Sequence, residues 1–289
     1  MKVPTTLAEL RDVRALLPNP FGLVPTMGYL HQGHLSLVRQ ARAECASVGV
    51  TIYVNPAQFG ANDDLNSYPR DFDRDLRLLE AEGVDLVWAP TDEEMYPPDF
   101  QTWVEVEALT RILEGTHRPG HFRGVTTIVA KLLNATQPDK AYFGQKDAQQ
   151  AVVIRRMVQD LNFPLKVVVC STVRESDGLA MSSRNSYLDP QQRETATVLY
   201  RALTAATQAF DAGERNAEVL RNIMSEVLST EPLARPQYVS VADPDTLAEL
   251  TGTVEFALLS MAVYVGQTRL IDNMIVGDQG SKHLLIPDP

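Results

Sequence analysis

His31 and His34 stand three residues apart in the run Val24-Pro25-Thr26-Met27-Gly28-Tyr29-Leu30-His31-Gln32-Gly33-His34-Leu35. An apolar strand ends at Pro25, a turn containing Gly28 follows, and a helix opens near Gly33–His34, continuing through Leu37, Val38, Ala41 and Cys45. In such a turn backbone N–H groups face outward, and a helix N-terminus carries about half a positive charge. An anion such as a phosphate suits that arrangement. Two imidazoles straddling the helix start can both reach it as hydrogen-bond donors. A zinc pair is the competing reading, but it lacks a nearby cysteine or a third ligand at a suggestive spacing. Plain capping or solvation remains open for either histidine taken singly.

Four further segments carry polar groups at places where chemistry is done. Val54-Asn55-Pro56-Ala57-Gln58-Phe59-Gly60 follows a strand, so that Asn55 and Gln58 present amides able both to donate and to accept; an ordinary Asn-Pro turn is the alternative. Arg118-Pro119-Gly120-His121-Phe122-Arg123-Gly124 precedes a helix expected from Val125, which places Arg118, His121 and Arg123 in a loop and again implies an anion. In Phe143-Gly144-Gln145-Lys146-Asp147-Ala148-Gln149-Gln150 a strand ends at Gly144 and a helix starts near Ala148. Lys146 there can reach polyphosphate, Asp147 can cap the helix, and Gln150 can face a small polar substrate. Gly178-Leu179-Ala180-Met181-Ser182-Ser183-Arg184-Asn185 offers two hydroxyls and a guanidinium in a glycine-led loop. The acidic stretches Asp63-Asp64 and Asp71–Asp75 read mostly as solvated or capping carboxylates, with Asp75 the candidate ligand for a magnesium ion accompanying ATP.

Positioning these segments requires an alternation of strands and helices. Strands are expected at Phe21–Pro25, Val50–Val54, Leu86–Ala89, Ala141–Phe143 and Leu165–Cys170. Amphipathic helices run through Phe72, Leu76 and Leu79, through Val125, Ile128, Val129, Leu132 and Leu133, and through Ile154, Met157, Val158 and Leu161. This pattern predicts a parallel sheet with helices on both faces and ligands beyond the carboxyl ends of its strands. Beyond about residue 175 two successive helices, carrying Leu199, Leu203 and Phe210 and then Leu220, Met224 and Leu228, precede three β-rich runs at Tyr238–Val241, Phe256–Val265 and Leu270–Val276. A smaller α+β domain is expected there. We place the domains at 1–175 and 176–289, with turn signals at Asp177-Gly178 and Asp189-Pro190. The residues after Gly280 read as a tail.

Composition narrows the class. The 289 residues carry a net charge of -11 and no Lys/Arg cluster, which argues against a nucleic-acid binder because phosphate neutralisation needs a basic patch. Cys45 and Cys170 lie in apolar stretches and read as buried thiols. The charged N-terminus lacks a signal-peptide core and no run approaches the roughly 20 apolar residues of a membrane span, so a cytoplasmic setting is expected.

Read in order, P-T-M-G-x-L-H-x-G-H, N-P-x-Q-F, R-P-x-H-F-x-G-V, F-G-x-K-D-x-Q-Q and M-S-S-R-N-x-Y-L resemble the pantothenate synthetase (pantoate–β-alanine ligase) family, within the H-x-G-H adenylyl-transferring, Rossmann-like superfamily. The resemblance implies an α/β fold with a closing C-terminal domain. It further implies an ATP-dependent condensation of pantoate with β-alanine through a pantoyl adenylate, Mg²⁺ accompanying ATP, and a homodimer. It assigns catalysis to His34, His31 and Lys146, with His34 at the position of the family's proposed proton donor. ATP would be lined by Met27, Gly28, Tyr29, Leu30, His31, Gln32, Gly33, His34, Gly144, Gln145, Lys146, Asp147, Val173, Met181, Ser182, Ser183 and Arg184. Pantoate would be held by Gln58 and Gln150, with Gln58 also near the amine substrate, and Asn55, Arg118 and His121 would support substrate binding. Three positions depart from the pattern: Gln145 stands where Glu is frequent, Tyr29 where a small residue or Asn is usual, and Arg74 interrupts the acidic run. Two rivals remain at this point, an H-x-G-H nucleotidyltransferase that keeps its adenylate as product and an ATP-sensing module with a vestigial site.

Overall fold

The structure is a computed structural model that describes residues 1–60 and 63–277; the tail expected after Gly280 lies outside the described residues. Its elements in chain order are α1 (Leu7–Ala15), β1 (Phe21–Thr26), α2 (Gln32–Glu44), β2 (Ser47–Ile52), α3 (Phe72–Ala81), β3 (Leu86–Trp88), α4 (Asp92–Met95), α5 (Glu114–His117), α6 (His121–Thr136), β4 (Lys140–Gly144), α7 (Ala148–Asp160), β5 (Lys166–Cys170), α8 (Pro190–Thr195), α9 (Val198–Asp211), α10 (Ala217–Ser229), β6 (Ala234–Ala242), β7 (Ala257–Val265) and β8 (Thr268–Val276). The chain folds into two compact units. Among the described residues the first comprises Met1–Gly144 with Gln150–Cys170, and the second comprises Gln145–Gln149 with residues 171–277. The sequence reading divides the chain after residue 175. In the fold the division falls at Cys170–Ser171, and the short stretch after β4 also goes to the second unit.

In the first unit five parallel strands lie in the order β3-β2-β1-β4-β5. This is the parallel sheet that the alternation of elements implied and the Rossmann-like arrangement that the resemblance implied, with the strand order reversing between β1 and β4. Both faces are covered. Val24, Val48, Val50, Tyr142 and Val168 pack with Leu35, Val38 and Ala41 of α2 and Leu79 of α3 on one face. On the other, Arg14 of α1 lies 4.2 Å over the ring of Phe21. Alternation along β1 thus sends Phe21 and Val24 to opposite sides.

β2 starts three residues before the expected Val50. Ser47 and Gly49 carry no strand signal in the sequence, but Gly49 is needed where it is: a Cβ there would meet the Phe21 ring at 2.5 Å. Pro25 explains another local feature. It cannot donate to a ladder, and it sits past the last β1–β4 partners, Gly22↔Lys140 and Leu23↔Ala141. The two strands therefore separate towards their carboxyl ends, where a doubly wound sheet receives its ligand.

The second unit has its own core. Antiparallel β6-β7-β8 present Val241, Leu259, Met261, Val263, Leu270 and Val276 to Leu199, Leu203, Phe210, Leu220, Met224 and Leu228 of α9 and α10. Among the described residues no helix is long and apolar enough to cross a membrane.

Gly49→Ala is expected to cost about 1–3 kcal/mol by overpacking, read as a lowered urea midpoint. Adding Phe21→Leu, which removes the ring the new methyl would strike, should recover part of that loss.

Candidate active site

The turn between β1 and α2 is held from below by one carboxylate. Gly28 and Tyr29 both have positive φ, 82° and 50°, a region that favours glycine and is uncommon for tyrosine. A Cβ on Gly28 would lie 3.0 Å from Ile52 and 3.2 Å from Asp75 Oδ2. Asp75, in the first turns of α3 and only 1% exposed, accepts from Tyr29 N–H at 2.7 Å and from Leu30 N–H at 2.8 Å, one with each oxygen. Burial pushes its pKa up, and the two amide donors oppose that shift. Both oxygens of Asp75, the expected magnesium ligand, thus hold the turn in place. Among the described residues no cluster of three His, Cys, Asp or Glu side chains could hold a metal ion.

The amides of the turn are likewise turned inward, contrary to the expectation that they face a phosphate. Gly28 N–H donates to Thr26 Oγ1 at 3.2 Å, and Gly33 N–H donates to His31 Nδ1 at 3.1 Å. His31 is the N-cap of α2, and His31 N–H donates to His34 Nδ1 at 3.3 Å, completing a capping box made from two imidazoles. Serine or aspartate normally fills that role. With Nδ1 accepting in both rings, Nε2 is the nitrogen left to donate. The rings lie 4.0 Å apart, centroid to centroid. The pair therefore combines two N–H donors with the positive end of a helix of 13 residues.

The N-P-x-Q segment forms a 3₁₀ turn, Pro56–Gln58, capped by Asn55. Asn55 is 1% exposed and fully engaged. Its Nδ2 donates to Gln58 Oε1 at 2.9 Å and to Gly124 O at 3.1 Å, while its Oδ1 accepts from Tyr96 Oη–H at 2.8 Å. Asn55 thus orients Gln58, whose Nε2 points to the thioether of Met27 at 3.3 Å. Tyr96 was not singled out in the sequence, where nothing marks it.

Arg118 and His121 serve the same turn. α6 begins at His121, four residues before the expected start, because Gly120 at φ 82° ends the preceding segment. His121 and Arg123 are therefore helical, not in a loop. His121 Nδ1–H donates to Gln58 O at 2.8 Å. Its Nε2 faces Arg118 Nη1 at 3.2 Å, and Arg118 Nη2 pairs with Asp63 at 2.9 Å. Burial, with Arg118 adding to it, pushes the His121 pKa down to about 4, so the ring is neutral. Gly124 lets α6 lie against the turn, since a Cβ would meet Ala57 O at 2.3 Å. Asn55, Arg118 and His121 are positioning residues for Gln58. Gln150, half-buried, lies in the first turn of α7.

Gly144 ends β4 in the first unit, and the second unit carries the remaining residues. Gln145–Asp147 form a 3₁₀ turn ahead of α7, with Lys146 Nζ 3.8 Å from Asp147 Oδ1. Val173–Met181 form a hairpin: Met181 N–H donates to Val173 O at 3.0 Å and Glu175 N–H to Leu179 O at 2.8 Å. Gly178, at φ 91°, packs so tightly on Tyr200 that a Cβ would lie 2.0 Å from the ring. Ser182 caps the 3₁₀ turn Ser183–Tyr187 by accepting from Arg184 N–H at 3.3 Å; Ser183 is 7% exposed, while Met181, Ser182 and Arg184 are half-buried.

Three polar residues of this unit escaped the sequence reading. Arg174 grips Asp272 with two nitrogens, at 2.6 and 2.9 Å, and Asn273 Nδ2 donates to the carbonyls of Gln145 and Lys146, at 2.9 Å each. Burial pushes the Asp272 pKa up against the opposing pull of Arg174. Their signal was an acid and an amide side by side inside the apolar run Leu270–Val276.

An open parallel sheet with this strand order and an H-x-G-H turn after its first strand defines a Rossmann-like α/β protein of the H-x-G-H class. Residues 2–275 match the family model described as pantoate-beta-alanine ligase. Pantothenate synthetases of Roseiflexus sp. (strain RS-1) and Chloroflexus aggregans (strain MD-66 / DSM 9485) are 61% and 62% identical to it, over 96% of this chain and 99% and 100% of theirs. The crystal structure of pantothenate synthetase from Thermus thermophilus superposes with a TM-score of 0.92 at 48% identity, covering 96% of this chain and 100% of that one. Pantoate-beta-alanine ligase from Francisella tularensis, crystallised with beta-gamma ATP and beta-alanine, gives 0.79 at 34% identity over 95% and 97%. The chain belongs to the pantoate–β-alanine ligase family.

Two outcomes test these assignments. Asp75→Asn leaves one oxygen for two amides and should cost about 1–3 kcal/mol, seen as a lower melting temperature; a loss of activity without a change in stability, reversed by added Mg²⁺, would assign the carboxylate to the metal instead. His121 is neutral in the fold down to about pH 4, whereas the unfolded ring protonates near 6.5. The unfolded state thus binds more protons in that window, and stability should fall as pH drops from about 6.5 to 4. Ring-proton NMR that finds His121 charged at pH 6 would contradict this.

Proposed function

We propose that this protein condenses (R)-pantoate with β-alanine at the expense of ATP, forming pantothenate, AMP and pyrophosphate. The observation that carries the reading is the family match over almost the whole chain, together with the paired-imidazole cap at the head of α2. A pantoate carboxylate oxygen attacks the α-phosphorus, and the bond to the β,γ-diphosphate breaks, releasing pyrophosphate. The β-alanine amine then attacks the acyl carbon of the adenylate, the C–O bond to AMP breaks, and the amine loses a proton.

The residue roles follow from chemistry. Charge that grows on the departing phosphates is met by donors already in place, since adenylyl transfer depends on positioning and electrostatics. His31 and His34 supply Nε2–H groups, and Lys146, Ser182 and Arg184 supply ammonium, hydroxyl and guanidinium donors to the same triphosphate. Ser183, 7% exposed, adds a second hydroxyl to the same set. Met27 to His34, Gly144 to Asp147, Val173 and Met181 line the nucleotide. Gln58 and Gln150 hold pantoate, Gln58 with the orientation that Asn55 and His121 impose on it.

Magnesium would enter with ATP and offset phosphate charge, with Asp75, which also accepts from the Tyr29 and Leu30 amides, as the carboxylate that would help hold it. A closing role for residues 176–289, which keeps water from the adenylate, and a cytoplasmic homodimer belong to the same reading.

In a coupled assay, AMP is expected only when ATP, pantoate and β-alanine are all present, with pantoate alone sufficient for pyrophosphate exchange. Absence of AMP under full conditions would favour a nucleotidyltransferase that keeps its adenylate. His34→Ala should cut turnover by about 100-fold or more; an unchanged rate removes the imidazole from the mechanism.

A further inference from the structure

The polar pair in the middle of β8 has a division of labour that follows from strand alternation. Asp272 pairs in register with Met261, and Asn273 with Ser260. Met261 belongs to the core beneath α9 and α10, so Asp272 lies on the helix-covered face of the sheet and Asn273 on the opposite one. On its face Asp272 is held by Arg174 in a two-point ion pair, and its Oδ1 also accepts Asn273 N–H at 2.8 Å. Arg174 Nη2 further donates to Asn273 O at 3.3 Å. The main chain at Asn273 is therefore fixed on both sides before its side chain does anything.

That side chain, 3% exposed, clasps one short turn. Both hydrogens of Nδ2 are used, on the successive carbonyls of Gln145 and Lys146. Oδ1 accepts from Gln145 Nε2 at 3.4 Å. A primary amide has two donor hydrogens in one plane, which is what two adjacent carbonyls of a 3₁₀ turn require. Aspartate has no donor when ionised, and serine has one. Fixing the carbonyls on both sides of the Gln145–Lys146–Asp147 peptides fixes the direction of the Lys146 Cα–Cβ bond.

We propose that Asn273 is a positioning residue for Lys146: its amide, anchored through Asp272 and Arg174, locks the turn that aims the lysine ammonium at the substrate phosphates. The inference rests on the role given to Lys146 under the proposed function. It explains why Gln145–Gln149, directly after a strand of the first unit, belongs to the second. The lysine is set by the C-terminal sheet, not by the strand that precedes it.

The test is a double-mutant cycle on the full chain, read as the single-turnover rate of pantoate-dependent adenylate formation. Asn273→Ala should slow that rate by about 10- to 100-fold, the cost of a catalytic group misplaced by an ångström or less, with the KM for pantoate changed by no more than about 2-fold. Lys146→Ala should slow it more. In the Lys146→Ala background, Asn273→Ala should then cost almost nothing, because there is no ammonium left to aim. An unchanged rate in Lys146→Ala overturns the role of Lys146 itself. A slowed Lys146→Ala that Asn273→Ala slows again by its full factor overturns the coupling and leaves the lysine's role standing. Wild-type kinetics in Asn273→Ala overturns the proposal directly. Melting temperatures of all variants are followed; should Asn273→Ala not fold, Asn273→Ser, with one donor, enters the same cycle and is expected to lose at least half the logarithm of the effect.

Discussion

A buried carboxylate holding two successive amides is the interaction from which the turn between β1 and α2 is built. The chain leaves β1 with Gly28 and Tyr29 in the left-handed region, a conformation disfavoured for tyrosine and stable only when its surroundings determine it. Asp75 supplies that determination by accepting from Tyr29 and Leu30. Reversing the chain at that point brings His31 to the N-cap of α2 and His34 one turn further on. Remove the carboxylate and the amides of the turn lose their acceptors, the helix its entry angle, and the imidazoles their common direction. An acid that the sequence offers as a metal ligand is thus also an anchor for backbone.

The polar network around Gln58 follows the same logic with other groups. Its side chain is set by Asn55, its carbonyl by His121, and His121 in turn by Arg118, which Asp63 neutralises. Burying a charge is costly unless it is paired; here the imidazole avoids the cost by staying neutral, and the guanidinium by keeping its carboxylate. The result is an amide presented in one orientation. Such preorganisation lets a donor meet developing charge without first having to move.

The C-terminal unit uses the two-sidedness of a strand. β8 sends Asp272 into the helix-covered face, where Arg174 neutralises it, and sends Asn273 out of the other, where it holds Gln145 and Lys146. A purely apolar strand would pack as well and would hold nothing. Gly178 on Tyr200, and Arg193 paired with Glu175 and Asp177, fix the hairpin that leads to Ser182 in a comparable way.

Periodicity and turn chemistry were enough to read five parallel strands flanked by helices and a following α+β unit, and to single out the segments around His31, Gln58, Lys146 and Ser182 as candidates, because those signals are local. They failed where the reason for a residue lies far away in the chain. Gly49 looks like a break and is a strand residue, because only the Phe21 ring explains it; His121 looks like part of a loop and is the first residue of a helix. Asp75 looks like one acid among many, since its partners are amides 45 and 46 positions earlier. Asn273 stands 128 and 127 residues from the carbonyls it holds. Residue type and spacing determined what chemistry this chain can perform. Which groups are aimed and which do the aiming was decided only by tertiary structure, because a hydrogen bond depends on distance in space and leaves no period in the sequence.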